Sequence, residues 1–307
     1  MSVSITLAVA TCGRPLALSR CLEAIAAQTR LPDELIVIDQ NPSSAARDTV
    51  RRSALIVDYL EQSRLGLSAS RNLGLARATG SILAVTDDDC FPDVNWLSAV
   101  AAAFEADPEL AAVTGPITPP PGDPPKGMCA FSLRLSPGSR LFSGRVIPWH
   151  VGSGANFAAK VDWLQRVSGW DERLGVGTEG KGAEDCDIID RLLVGGGTIR
   201  YESGAVVHHE WQPLVRRHAT RWSYGFGIGA LCGLRLAARD RFGLTMIAAY
   251  LRRHLRMLLR EVVRLNGNEA WQRLTAIAAA VPGLAYGFRA SRSAEARPAR
   301  ATPSGHD

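Results

Sequence analysis

The 307-residue sequence has no run of eighteen uninterrupted apolar residues, so no segment is expected to cross a bilayer as a helix. Lysine is nearly missing: it occurs only at Lys126, Lys160 and Lys181, and arginine supplies the rest of the basic charge. None of the cysteines (Cys12, Cys21, Cys90, Cys129, Cys186, Cys232) pairs with another at Cys-x-x-Cys spacing. That argues against a zinc knuckle or a thioredoxin-like motif. Met1–Ala10 lacks the basic start of a signal peptide, so a reducing, cytoplasmic setting with free thiols is expected. The net charge of +5 is modest, and the first half has no basic stripe interleaved with aromatics. Nucleic acid is therefore not an expected partner.

What is present is an alternation of apolar runs and helical patterns. Ser4–Ala10 and Glu34–Asp39 read as buried strands, Leu55–Tyr59 as a weaker third, and Ser81–Thr86 as a fourth. Between them, Pro15–Gln28 reads as a helix with Leu18, Cys21, Leu22 and Ile25 on one face, and Ser68–Ala78 as another, closed by Gly80. This order predicts an α/β fold with a mostly parallel central sheet and helices on both faces. In such sheets ligands sit beyond the carboxyl ends of the strands. Asp39 and the Asp87-Asp88-Asp89 run fall at two of those ends. The proline-rich segment from Pro116 to Gly127 is expected to be irregular and to link two halves.

Three adjacent carboxylates repel one another, and a divalent cation such as Mg2+ or Mn2+ is the simplest reason to keep them together. A solvated acidic turn is the plain alternative. Glu184-Asp185 opens a helix running to about Val194. Acidic residues favour a first helical turn, yet a general base is also consistent with this position. His208 and His209 follow an apolar strand, either as a metal ligand or as a polar strand end.

Taken in order, these segments resemble family 2 glycosyltransferases, from about Ser4 to about Gly229. The resemblance is carried by Glu34–Asp39, Ala69-Ser70-Arg71-Asn72-Leu73-Gly74, Thr86-Asp87-Asp88-Asp89-Cys90, Gly154-Ala155-Asn156-Phe157-Ala158, Gly169-Trp170-Asp171-Glu172, Gly182–Asp187 and Tyr201–His209. It implies a GT-A fold and an inverting transfer of sugar from a nucleotide-diphosphate donor. By resemblance, Thr11 and Asp39 contact the nucleoside and Arg71 lies near the base or diphosphate. Arg14, Asp87, Asp88, Asn156 and Glu184 join them in the donor site. Asp87 and Asp89 match the Asp-x-Asp pair, with Asp89 the direct metal ligand, and His209 matches the late metal-binding histidine. Asp185 matches the catalytic base. The implied cofactor is Mn2+ or Mg2+, and the implied acceptor is a glycan or a lipid-linked sugar, as in surface polysaccharide assembly. Gln40 departs from the family, which often has an acid there, and Lys160 stands one position beyond the expected basic residue. A sugar-phosphate nucleotidyltransferase would share the core, but no glycine-rich phosphate loop follows the first strand; Thr11-Cys12-Gly13-Arg14 stands there instead. A catalytically degenerate, membrane-associated binding protein is the non-enzymatic alternative.

The expected division is a GT-A domain over 1–240 (donor half 1–115, acceptor half 116–240), amphipathic helices over 241–289, and a disordered tail over 290–307. In the helical segment Leu244, Ile247, Ala248, Leu251, Leu255, Leu258, Val262 and Leu265 recur at helical spacing, opposite Arg253, Arg256, Arg260 and Arg264. Such a helix either lies on an anionic membrane surface, which would make the protein peripheral on the inner face, or docks on the catalytic domain. Pro282-Gly283 is expected to interrupt a following helix over 271–288.

Overall fold

The computed structural model describes residues 3–42, 44–130, 132–136 and 138–295. They divide into two compact units, one of 3–179 with 184–217 and one of 180–183 with 218–295.

In the first unit the elements run β1 (Ile5–Thr11), α1 (Pro15–Ala26), β2 (Glu34–Asp39), α2 (Ser44–Arg52), β3 (Asp58–Glu61), α3 (Leu67–Arg77), β4 (Ile82–Asp87), β5 (Cys90–Pro92), α4 (Trp96–Ala106) and β6 (Leu110–Thr114). They continue with β7 (Ile117–Thr118), β8 (Met128–Cys129), β9 (Arg140–Phe142), β10 (Phe157–Lys160), α5 (Val161–Arg166), α6 (Glu184–Val194), β11 (Thr198–Tyr201), β12 (Val207–His209) and β13 (Gln212–Pro213). The main sheet has the order β3-β2-β1-β4-β10-β6-β11-β9. Pairings among β1 to β4, and of β6 with β11, are parallel; β10 is antiparallel to both neighbours.

Both faces of the sheet are covered, which is why its strands read as unbroken apolar runs. Ile5, Leu7 and Val9 point into a core with Leu18, Leu22, Ile25, Trp96 and Phe104. Ala8, Ile36 and Ile38 point the other way, into a core with Leu164, Ile188, Ile189 and Leu192. In α1 the face expected from spacing (Leu18, Cys21, Leu22 and Ile25) is the buried one.

Three local readings are corrected. The third strand is shifted to Asp58–Glu61, because this edge strand is only half-buried and its apolar pattern is weak. The proline-rich segment is not wholly irregular. Ile117 and Thr118 keep their N–H groups ahead of Pro119 and form β7, which pairs with β12. Pro282 sits inside a continuous helix rather than breaking it.

The second unit contains α7 (Arg217–Ala237), α8 (Phe242–Val263) and α9 (Gly267–Glu295). Gly225, Gly229 and Gly233 of α7 lie against α9 so closely that an added Cβ would stand 2.3, 2.1 and 2.3 Å from the carbonyl oxygens of Ala276, Ala280 and Leu284. The seam is reciprocal, since a Cβ on Gly283 would meet the Phe226 carbonyl at 2.1 Å. Backbone contact of this kind supports α9 on both sides of Pro282. Helix α9 continues through Ala290 to Glu295, and the rest of the expected tail, 296–307, lies outside the described residues. The apolar row of α8, read from the sequence as facing either a membrane surface or the catalytic domain, is not the buried face. The buried residues are Gly243, Met246, Tyr250 and His254, while Leu244, Leu255 and Val262 are exposed. Among the described residues no helix is long and apolar enough to cross a membrane.

Candidate active site

The parallel register aligns the carboxyl ends of three strands. Thr11 lies opposite Asp39, and Ala10 opposite Asp87. Beyond β4 the chain turns through Asp88 and Asp89 into β5, which pairs with β12 so that His209 faces Cys90. That pairing carries His209 to Asp89, with Nε2 3.8 Å from Oδ1. The His209 Nδ1 lies 3.0 Å from the Glu210 carbonyl. A proton on Nδ1 donates to that carbonyl and leaves the Nε2 lone pair directed at the acid, the arrangement usual for a metal-ligating histidine. His208 turns elsewhere, with Nδ1 2.7 Å from Thr118 Oγ1.

Asp88 is fully buried. It accepts from Thr11 Oγ1 at 2.7 Å and from Arg14 Nε at 3.1 Å. Arg14, just before α1, also pairs through Nη2 with Asp88 and through Nη1 with Asp89 at 2.7 Å. Burial pushes the Asp88 carboxyl up to about 7 despite the Arg14 charge, with Asp89 and Asp87 adding to the rise. Gln212 Nε2 donates to Asp89 Oδ2 at 3.2 Å.

A second set of groups meets at Arg71, which is 3% exposed on α3. Its Nη2 donates to Asp87 Oδ1 at 3.2 Å and to the Gly154 carbonyl at 3.1 Å, and its Nη1 to Glu184 Oε1 at 3.3 Å. An added Cβ at 154 would stand 2.6 Å from the guanidinium, so glycine leaves room for this approach. The Gly154 N–H donates to Asp185 Oδ2 at 3.2 Å, and the Cys186 N–H to Asp185 Oδ1 at 2.7 Å. Two backbone donors therefore fix the Asp185 carboxylate at the start of α6. Burial, with Asp185 adding, pushes the Glu184 carboxyl up to about 7. Ala183, directly before the helix, has a left-handed φ of 65°, a conformation that stores strain in a non-glycine residue.

Asp39 is fully buried and takes the Tyr59 hydroxyl at 2.7 Å and the Asn41 N–H at 2.9 Å. Burial and Asp39 push the Tyr59 hydroxyl well up. Gln40 accepts the Gly66 N–H through Oε1 at 2.8 Å, so its amide holds the turn into α3.

Asn156, expected in the donor site, has its amide engaged elsewhere. Its Oδ1 accepts from Trp96 Nε1 at 2.9 Å, and its Nδ2 donates to the carbonyls of Pro116 and Ala205 at 2.8 and 2.7 Å. Both N–H donors are used, so this side chain ties three segments together. Lys160 Nζ donates to the Pro108 carbonyl.

The donor set near Asp89 suits a cation. Ligand atoms of Asp89, Cys90 and His209 lie within 4.8 Å of one another. Carboxylate oxygens suit Mg2+ and Mn2+, and an imidazole nitrogen adds a ligand that transition-metal ions accept. Cys90, Gln212, Tyr59 and Gly154 were not singled out as site residues from the sequence. Cys90 adjoins the acidic run, but Gln212 and Tyr59 reach their partners by long-range pairing that leaves no local signal.

The glycosyl transferase family 2 profile matches residues 6–167. The chain belongs to this family. It is thus a glycosyltransferase, and the mostly parallel sheet with helices on both faces is its GT-A fold. A glucosyl-dolichyl phosphate glucuronosyltransferase of Haloferax volcanii is 26% identical over 68% of this chain and 69% of its own length. A pre-mycofactocin glycosyltransferase of Mycobacterium tuberculosis is 31% identical over 55% of this chain, which spans only 35% of that relative. Among solved structures, a mannosyltransferase of Pyrobaculum calidifontis in complex with GDP-Man and Mn2+ superimposes with a TM-score of 0.61 at 19% identity, covering 92% of this chain and 88% of its own.

Proposed function

We propose that the protein is an inverting transferase that moves a sugar from a nucleotide-diphosphate donor to a glycan or lipid-linked acceptor. The observation that supports this best is the Arg71 bridge from Asp87 to Glu184, which sets the fixed Asp185 carboxylate beside the acidic strand end. The Pyrobaculum structure, with its GDP-Man and Mn2+, supports a diphosphate donor and a metal. The name of the Haloferax relative supports a lipid-linked acceptor. The six free cysteines fit a reducing, cytoplasmic compartment. In this reading the donor half is 1–115 and the acceptor half begins at Pro116.

Asp185 takes the proton of the acceptor hydroxyl as that oxygen attacks the anomeric carbon. The bond from that carbon to the diphosphate oxygen breaks on the opposite face, and the nucleoside diphosphate leaves. One displacement inverts the centre, by the stereochemical logic of inverting hydrolases. Asp89, Asp87 and His209 are the residues to hold a divalent cation, which when bound supplies positive charge to the departing diphosphate. Arg71, held between two carboxylates, and Arg14 supply more from the protein. Asp39 and Thr11 are assigned to the nucleoside.

The test is donor binding by calorimetry and nucleoside-diphosphate release over a panel of nucleotide sugars, with Mn2+, Mg2+ or chelator. One donor should bind in a metal-dependent way, and Asp89→Ala should lose that binding. Asp185→Ala should bind the donor and fail to turn it over. Failure of every donor to bind, with or without metal, would sink the reading.

A further inference from the structure

Charge is segregated along this chain. From 218 to 295 there are twelve arginines against four acidic residues, whereas the first 217 residues carry twenty-one basic against twenty-five acidic. The helical unit is thus strongly cationic although the whole chain is only +5.

Helix α8 has three faces rather than two. The first (Gly243, Met246, Tyr250 and His254) is buried. It is anchored by the Tyr250 hydroxyl at the Ala276 carbonyl, 3.4 Å, and by Gly243 lying close to the backbone of Cys232. Burial, with Arg273, Arg221 and Arg253 adding, pushes His254 down to about 3, so this face is uncharged at neutral pH. The second face is an apolar row turned outward. Leu244, Leu255, Leu259, Val262 and Val263 are between 49% and 82% exposed. The third is basic, with Arg252, Arg256 and Arg260 exposed at four-residue steps along one border of that row. Helix α9 exposes a row of its own, Trp271, Leu274, Val281 and Phe288, at steps that keep one face.

Contiguous exposed apolar surface of this kind marks an interaction site. Its composition selects the occupant. A row of leucine and valine bordered by arginines, with Trp and Phe on the next helix, matches the interface of an anionic bilayer, where apolar groups enter the headgroup boundary and arginines meet lipid phosphates. We infer that the α7–α9 unit docks on an anionic membrane surface through the exposed apolar row of α8 and its arginine border. The helix lies in the plane of the interface, its apolar row inserted about 5–10 Å. None of the residues on this surface is assigned to the donor, the metal or the base.

The test is flotation of the full chain with vesicles of phosphatidylcholine alone and with an equal mixture of phosphatidylcholine and phosphatidylglycerol. Binding is expected to the mixture only, and to weaken with added salt. Arg256→Glu should lower the partition coefficient by at least about fivefold, the value of one arginine at an anionic surface. Leu255→Glu with Leu259→Glu should abolish binding. All these positions are exposed, and an unchanged thermal transition will show that the variants fold. Light scattering run alongside reads the competing occupant. A parent dimer that the leucine variants convert to monomer, with no vesicle binding, would assign the row to a second copy and overturn the inference. Equal flotation with both vesicle types, or binding unaffected by the leucine changes, would overturn it as well.

Discussion

The guanidinium of Arg14 lies 2.7 Å from Asp89 Oδ2, on the acid assigned to the metal. Its Nε reaches Asp88 as well, so one side chain neutralises two neighbouring carboxylates. Arg14 is 40% exposed on a short tether before α1, whereas Asp88 is wholly enclosed. The arginine is the member of the pair free to move, and a cation arriving at Asp89 competes with it for the same oxygens.

Arg14→Ala should therefore destabilise the metal-free protein, since it leaves a buried carboxylate without its counter-charge. Breaking a buried pair costs about 3–5 kcal/mol; the exposure of Arg14 reduces this to about 1–3 kcal/mol. Added Mn2+ should restore more stability to the variant than to the parent, because the competitor is gone. Thermal melts with and without Mn2+ measure both effects. Equal Mn2+ shifts in the two proteins would separate Arg14 from the ion.

Asp185→Asn keeps the shape of the side chain but cannot take a proton; its one amide oxygen can hold the Cys186 N–H or the Gly154 N–H, which meet different oxygens of the acid. If Asp185 is the base, kcat falls by about 10²–10⁴ while donor affinity changes little. Steady-state turnover beside calorimetric donor binding separates the two quantities. A variant that loses donor affinity and keeps kcat would move Asp185 from the chemistry to the binding site.

Glu184 gives a pH dependence of stability. Its carboxyl is pushed up from 4.5 to about 7 in the fold, by burial first and by Asp185 second, against the opposing charge of Arg71. The folded protein thus binds this proton more tightly than the unfolded chain does. The contribution to stability is fully present below about 4.5 and is lost as pH rises through about 7. In urea titrations without divalent ions, the parent should lose stability across that window more steeply than Glu184→Gln. Parallel profiles would place the slope on other groups.

The strand ends were legible because a strand buried on both faces must be apolar throughout, so an acid closing such a run is conspicuous. Asp39 and Asp87 stand out in this way, and the register sets both at one edge. What surrounds them was not legible. Gln212 reaches Asp89 over more than a hundred residues of chain, and no local pattern encodes that contact. Asn156 sits in a motif, but the motif names the residue and not its partners; three segments meet at its amide. Periodicity in α8 identified an apolar row and left its environment open. Spacing reports that a face is apolar, and only the packing of neighbours decides whether it is covered. Here small and amphipathic residues, Gly243 and His254 among them, take the covered side.

The glycine seam between α7 and α9 yields a prediction whose sign opposes helix propensity. In an isolated helix, glycine to alanine is favourable by up to about 1 kcal/mol. Gly229 lies near the middle of α7, so propensity alone makes Gly229→Ala stabilising. The new methyl carbon would stand 2.1 Å from the Ala280 carbonyl oxygen, and that atom is backbone, unable to swing aside. The helices must separate, and overpacking of this kind costs about 1–3 kcal/mol. Gly267→Ala is the control, since nothing lies within 4 Å of its added Cβ. The expected result in urea denaturation is a clear loss for Gly229→Ala and a neutral or slightly positive change for Gly267→Ala. If both were neutral, α7 and α9 would not be in backbone contact, and Pro282 would lack the support that keeps α9 continuous.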